Sequence, residues 1–422
     1  MKTVALSACL FLLGGCRFAL SIGLHAPNGS LDAASDIAAD EPVDSALEAS
    51  PDVLADTFDA GSDVTTSDAL DDADVADVPV VLREPLTTVA LGAAFSCGRA
   101  DSGVAWCWGA NALGAFGNGT MADSLRPTNG FAGVTGVRRI AVGAAHACVV
   151  GDDGRIRCAG ANADGQLGDG TQVDRAAATT IASLTGVQEI AAGDGHTCVV
   201  VAPGAVHCWG RNDRGQLGDG TMTRRSAPTP VAVMDAVHIA AGSAHTCVTR
   251  MAGSVSCWGE GFGASPMIVA GVADAAQIAA GRCHSCVVST TGRLSCWGCN
   301  TEGQLGDGTT TDRAAPVDVL GVGTVLQVVA RERHTCARTT DTVNCWGDGA
   351  MGQLGNGDRT PRTRATAPSG LTRAATSDLA TGTGHTCAVL ADRALWCWGA
   401  NASGQLGDGT TTDRLTPTRI VP

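Results

Sequence analysis

Seven times along this chain a cysteine follows a short apolar stretch and a few small residues, as in "IAAGDGHTC" and "LATGTGHTC": Cys97, Cys148, Cys198, Cys247, Cys286, Cys336 and Cys387. The intervals between them are 51, 50, 49, 39, 50 and 51 residues. Every copy reaches a second cysteine, at Cys107, Cys158, Cys208, Cys257, Cys296, Cys345 and Cys397, and most continue into Trp-Gly and a glycine-rich tail such as "GQLGDGT". Repeats of this length built from short strands and turns predict an all-β chain, either a propeller or a solenoid.

The compartment decides what these sulfurs do. The chain opens "MKTVALSACLFLLGGCRF", with Lys2 before an apolar run from Val4 to Leu13 and Gly14-Gly15 before Cys16. This reads as a secretory signal over 1–16, too short against the ~20 residues that span a bilayer. Leu13-Gly14-Gly15-Cys16 resembles the lipobox of bacterial lipoproteins, which implies lipid attachment at Cys16 and a membrane contact through that anchor alone. The alternative is an ordinary cleaved signal with an incidental cysteine. Position 17 is Arg rather than Asp, so the resemblance implies an outer-membrane or cell-surface location in a bacterium.

Residues 17–85 carry 16 acidic side chains against two arginines, which accounts for the whole net charge of −14. With so few large apolar residues, this stretch predicts a solvated, self-repelling tether. "DAASDIAAD" lacks the glycine and the oxygen density of a calcium loop. The repeats, 86–422, are then close to neutral, which argues against nucleic acid as a partner.

Cysteine spacing predicts the local geometry. In an antiparallel hairpin, opposed residues have a constant sum of numbers, so Cys387 opposite Cys397 places Val389 opposite Leu395 and leaves a three-residue loop. The same arithmetic gives loops 101–103, 152–154, 202–204, 251–253 and 290–292, all ending in glycine, the residue that takes a left-handed turn position without steric cost. Repeat six is one residue shorter and leaves Thr340-Asp341; only Ala391-Asp392-Arg393 lacks glycine. Opposed cysteines in an exported chain predict disulfides Cys97–Cys107, Cys148–Cys158, Cys198–Cys208, Cys247–Cys257, Cys286–Cys296, Cys336–Cys345 and Cys387–Cys397, with buried thiols as the alternative.

"GRCHSCVVSTTGRLSCWGC" adds Cys283 and Cys299 and so forms two Cys-x-x-Cys pairs, a zinc pattern if all four thiolates face one ion. The register instead puts Cys283 opposite Cys299, three rungs from Cys286–Cys296, where strand alternation turns them to the other face. A second bridge, Cys283–Cys299, is the expectation, and no metal site.

The run "HTCAV", "CWGxNxxGQLGDGT" and then a proline-led strand resembles the regulator of chromosome condensation repeat family from Leu86 to Pro422. The resemblance implies a seven-bladed β-propeller with four antiparallel strands per blade. In this reading the C-terminal "LTPTRIV" supplies the strand missing from repeat one and joins the ends, with "VPVVL" at 78–82 as a competitor. Four departures stand out: Cys158-Ala159 in place of Cys-Trp, Phe95 in place of the histidine with "GAFGNGT" after it, the deletion in repeat four where "CWGEGFGAS" runs straight to "PMIVAG", and the extra cysteines of repeat five. The deletion predicts a notch, so blades four and five are the first place to look for a partner.

His146, His196, His245, His284, His334 and His385 stand two residues before a cysteine, too far apart around a ring to share an ion, and read as structural hydrogen-bonding groups. The tryptophans read as packing residues. Asp169, Asp219, Asp307 and Asp408, even with Asp174, Asp312 and Asp413, supply too few oxygens for calcium. The chain lacks G-x-S-x-G, H-E-x-x-H and G-x-x-x-x-G-K-[ST], so no catalytic residue and no cofactor is expected. The reading is a monomeric, extracytoplasmic, lipid-anchored, non-catalytic scaffold binding a protein or glycan at the cell envelope. An envelope-polymer hydrolase or lyase working in the channel is the alternative. The family also implies two binding precedents: an inhibitor of β-lactamase-like enzymes, and guanine-nucleotide exchange, which an exported chain disfavours.

Overall fold

Twenty-eight strands make up the fold in a computed structural model, which describes residues 84–371 and 376–421, and no helix occurs among them. The signal segment, Cys16, the acidic stretch to residue 83 and "VPVVL" lie outside the described residues.

The strands form seven antiparallel sheets of four, each taken consecutively from the chain. These are blades one to seven, at 86–130, 139–181, 187–231, 236–268, 275–318, 325–366 and 376–420. First strands line a central channel and fourth strands form the rim. Second strands such as His196–Val201, "HTCVVV", are buried along their whole length. A continuous apolar run fits a strand covered on both faces by neighbouring sheets. Fourth strands such as Arg225–Val231, "RSAPTPV", are mostly accessible and carry prolines, which lack the N–H a ladder needs and are confined to sheet edges.

That preference corrects the expected closure. The proline-led strand belongs to the blade before it: Arg414–Ile420 pairs with Leu395–Gly399 in blade seven and contributes no strand to blade one. Blade one is complete with Leu86–Leu91 as its own first strand. The ring closes without a shared sheet, with Leu86, Val89, Leu91 and Trp108 sharing a cluster with Val389, Leu395, Leu406 and Ile420.

The hairpins keep the expected register, with Cys198 opposite Cys208 and Val389 opposite Leu395. In the last hairpin Arg393 itself takes the left-handed conformation, at φ 64°, that Gly103 takes in the first at φ 80°. Among the described residues eight disulfides are present: seven join opposed cysteines at a Cα–Cα distance of 4.1 Å, and Cys283–Cys299 spans 5.6 Å.

Candidate functional site

One polar linkage recurs between blades. His146 Nε2 of blade two lies 2.9 Å from Thr197 Oγ1 of blade three, and that hydroxyl donates to Gln166 O of blade two at 2.9 Å. Trp209 Nε1 donates to the same carbonyl at 2.9 Å. The set repeats as His196, Thr246, Gln216 and Trp258; as His284, Thr335, Gln304 and Trp346; as His334, Thr386, Gln353 and Trp398; and across the closure as His385, Ser96, Gln405 and Trp108. Burial pushes His146, His196, His284 and His385 down to about 3, and His245 and His334 to about 4. All six rings are neutral at physiological pH.

Two junctions depart. Between blades one and two, Phe95 stands for the histidine, Ala147 for the threonine, Ala159 for the tryptophan and Ala115 for the glutamine, and Phe116 and Phe131 fill the space in a wholly apolar cluster. The departures that the sequence scatters over repeats one and two therefore meet at one contact. Between blades four and five the change is one-sided. Blade four lacks the Gln-Leu-Gly turn, whereas blade five keeps Ser285 and Trp297. The half-buried Cys283–Cys299 bridge borders the same gap. At the matching position in blade three, a Cβ on Gly195 would stand 3.1 Å from Asp164 Oδ2 in the preceding blade's turn; blade four has no such turn to cover Cys283.

The acidic turns lock themselves. Asp169 Oδ1 accepts from Thr171 N, Thr171 Oγ1 and Asn162 Nδ2, and Oδ2 pairs with Arg175 Nε at 2.9 Å. Burial works to raise this carboxyl, and hydrogen bonds from Thr171, Arg175 and Asn162 outweigh it and hold it low. Asp219, Asp307 and Asp408 repeat the arrangement with Arg225, Arg313 and Arg414. Asp174, Asp312 and Asp413 accept from the backbone of Asn162, Asn300 and Asn401. One oxygen of each is committed to turn geometry. Among the described residues no cluster of three or more His, Cys, Asp or Glu is arranged to hold a metal ion.

The channel, a cavity of about 380 Å³ lined by the first strands of all seven blades, spends its polar groups on joining them. Asp378 accepts from Val89 N at 2.9 Å and from Gln327 Nε2 at 2.9 Å, and Gln277 Oε1 accepts from Val328 N at 2.8 Å. Burial pushes the Asp378 carboxyl up. A buried carboxyl with a raised pKa is what an acid catalyst requires, but both oxygens of Asp378 already hold neighbouring strands.

One end of the channel is bridged by residues that the spacing of cysteines does not single out. Three positions before the histidine, or before Phe95 in repeat one, six repeats carry glycine; at Gly193 a Cβ would stand 2.2 Å from His196 Cε1. Repeat six carries Arg331 there. Its strand runs on to pair Arg331 with His334, and Glu332 takes the turn at φ 48°. The guanidinium crosses to Val142 O of blade two at 2.9 Å and Asp194 Oδ1 of blade three at 3.4 Å. Glu332 accepts from Ser243 Oγ of blade four at 3.0 Å, and its carbonyl from Arg282 N of blade five at 2.7 Å. The missing glycine in one repeat of seven was the available signal.

At this same end, turns of blades one to three expose large apolar side chains: Leu113 at 41 %, Met121 at 56 %, Val173 at 59 % and Met222 at 57 %.

Residues 153–200, 203–249, 291–338 and 393–422 match the model of the regulator of chromosome condensation (RCC1) repeat, and a second model of that repeat matches 137–166, 187–216, 275–304 and 377–405. Among solved structures, Prp20p from Saccharomyces cerevisiae, described with its binding properties to Gsp1p and histones, is 20% identical over 81% of this chain and 87% of that chain, with a TM-score of 0.65. Yeast RCC1 (Prp20) bound to Kap60 is 18% identical over 87% and 91%, with a TM-score of 0.66. Human WBSCR16 is 22% identical over 81% and 83%, with a TM-score of 0.51. At these identities the likeness is one of fold.

Proposed function

Since the chain belongs to the regulator of chromosome condensation (RCC1) repeat family, we propose that it is a non-catalytic binding scaffold held at a bacterial envelope, lipid-anchored through Cys16 and carried on the acidic stretch 17–85. Its turns engage a protein or glycan partner. Eight disulfides suit an oxidising, extracytoplasmic environment. The observation that carries the reading is the row of exposed apolar side chains on the turns of blades one to three, two of them methionines, which adapt to irregular surfaces. Loops held by a rigid scaffold are where binding residues gather.

The enzyme alternative would draw on Asp378, a channel carboxyl raised by burial, and that carboxyl is already committed to Val89 and Gln327. What Prp20p binds supports no inference for this chain at 20% identity.

Capture from envelope extracts by the full-length protein, carrying a C-terminal tag, tests the proposal. A stoichiometric partner lost on substituting Met121 and Met222 by Asp is the expected result. Turnover of an envelope polymer without any partner overturns it. Acyl labelling lost in Cys16→Ala tests the anchor, and unchanged labelling removes it.

A further inference from the structure

Five junctions carry the whole linkage from histidine to tryptophan, and the junction of blades one and two has lost both of its halves together. The junction of blades four and five keeps the histidine, the hydroxyl and the indole and lacks only the turn carbonyl of the preceding blade. His245 Nε2 lies 2.9 Å from Ser285 Oγ, while Trp297, 2% exposed, buries its Nε1 with no hydrogen-bond partner. At the preceding junction Gln216 O accepts from both Thr246 Oγ1 and Trp258 Nε1 at 2.9 Å, Leu217 packs in the same cluster as the indole, and a Cβ on Gly218 would stand 2.7 Å from the ring.

Blade four replaces that turn with Glu260-Gly261-Phe262. Phe262 lies 6.1 Å from the His245 ring centre and packs on the cluster that holds Trp297, but it presents no carbonyl to Nε1. Gly261 and Gly263 on either side have no atom within 4 Å of a built Cβ, so the short hairpin is unpacked on its outer side. A buried N–H without an acceptor is destabilising. Where this chain does without the linkage, Phe95, Ala115, Ala147 and Ala159 replace every polar side chain in it; here Ser285 and Trp297 keep theirs.

We propose that a turn of a protein partner displaces Phe262 and seats itself beside Trp297. The turn's main-chain carbonyl accepts from Trp297 Nε1 and Ser285 Oγ, as Gln216 O does from Trp258 and Thr246. Its apolar side chain takes the place of Phe262, and a glycine lies flat against the indole. The inference rests on the scaffold reading and names the kind of partner.

The probe is a cyclised peptide with the sequence of residues 211–225, this chain's own capping turn, titrated into full-length protein labelled with 15N-tryptophan. The Trp297 indole resonance, assigned by its loss in Trp297→Phe, shifts saturably, and affinity falls about tenfold or more in that variant. The variant lowers the melting temperature less than Trp258→Phe does, since both lose buried indole packing but only Trp258→Phe also loses an internal hydrogen bond. An unshifted Trp297 resonance at millimolar peptide, or equal binding to Trp297→Phe, overturns the site. An envelope partner captured equally by native and Trp297→Phe proteins also overturns the site and leaves the scaffold reading standing.

Discussion

His146 and Thr197 belong to neighbouring blades, and their 2.9 Å contact fixes where the imidazole carries its proton. The threonine hydroxyl spends its hydrogen on Gln166 O, so it accepts from His146, and Nε2 bears the hydrogen. Nδ1 is left bare and buried, without a partner. A second proton would have to sit on that nitrogen, out of reach of water, which is the physical content of a pKa pushed down to about 3.

Stability should therefore fall in mild acid. The ordinary histidine value is 6.5, and burial takes six rings to about 3 or 4 in the folded state. Below pH ~6.5 the unfolded chain gains protons that the folded chain refuses, each ring contributing up to ~1.4 kcal/mol per pH unit. Their stabilisation is complete above 6.5 and is lost progressively towards 4 and 3. His207, lowered by burial, acts with the six, and only His238, raised by its hydrogen bond to Glu189, acts with the opposite sign among the described histidines. Calorimetry between pH 7.5 and 5 should show a falling melting temperature with proton uptake on unfolding; a flat profile sinks the argument.

The apolar junction should reject the residue its siblings carry. Ala159 occupies the tryptophan position, and a Cβ on Gly117 would already stand 3.1 Å from Phe131 and 3.2 Å from Ala159. Ala159→Trp forces an indole into filled space, at about 1–3 kcal/mol or more. Thr197→Val at a complete junction strands His146 Nε2 and should cost about 1–3 kcal/mol. Thermal unfolding of both variants measures this, and a more stable Ala159→Trp would show that the slot is empty.

What could be read from the sequence was what lies within one hairpin. The constant sum across Cys387 and Cys397 yields register, loop length and the left-handed position, which even Arg393 adopts. Contacts between repeats were hidden, because Phe95 and Ala159 are 64 residues apart in the chain and meet only when one blade's turn lies on the next blade's strands. The ownership of Arg414–Ile420 is ambiguous in the sequence for a related reason: repeat phase is arbitrary in a periodic sequence, and only proline's place at a sheet edge separates the choices. Arg331 is marked in the sequence only by the break in a column of glycines, a signal separate from the cysteine spacing that sets the hairpin register.

The two bridges of blade five should differ in access and in worth. Cys286 and Cys296 are fully buried, whereas Cys283 and Cys299 are partly exposed beside the shortened turn. Mild thiol reductant followed by alkylation and peptide mapping should label Cys283 and Cys299 first. The inner bridge already closes the hairpin, so the outer one removes little additional chain entropy. Replacing both outer cysteines by serine should lower the melting temperature less than replacing Cys286 and Cys296 by alanine. Inner cysteines that label first, or the reverse order of melting temperatures, would refute this.

Arg331 gives the last test, because it stands where every other repeat has glycine and so can be returned to the common pattern. Its guanidinium ties blade six to Val142 O and Asp194 across the channel. Arg331→Gly removes a donor from a buried carbonyl and should cost about 1–3 kcal/mol, although glycine suits the turn in all six siblings. Asp194 is partly solvated and 3.4 Å away, so Asp194→Asn alone should cost no more than about 1 kcal/mol. If the side chain acts as a strap, the two changes share one interaction, and the double variant should be more stable than the sum of the single losses implies, by about 0.5–1 kcal/mol. Additive losses would mean that Arg331 and Asp194 do not act together. A melting temperature unchanged by Arg331→Gly would mean that the contacts across the channel hold nothing.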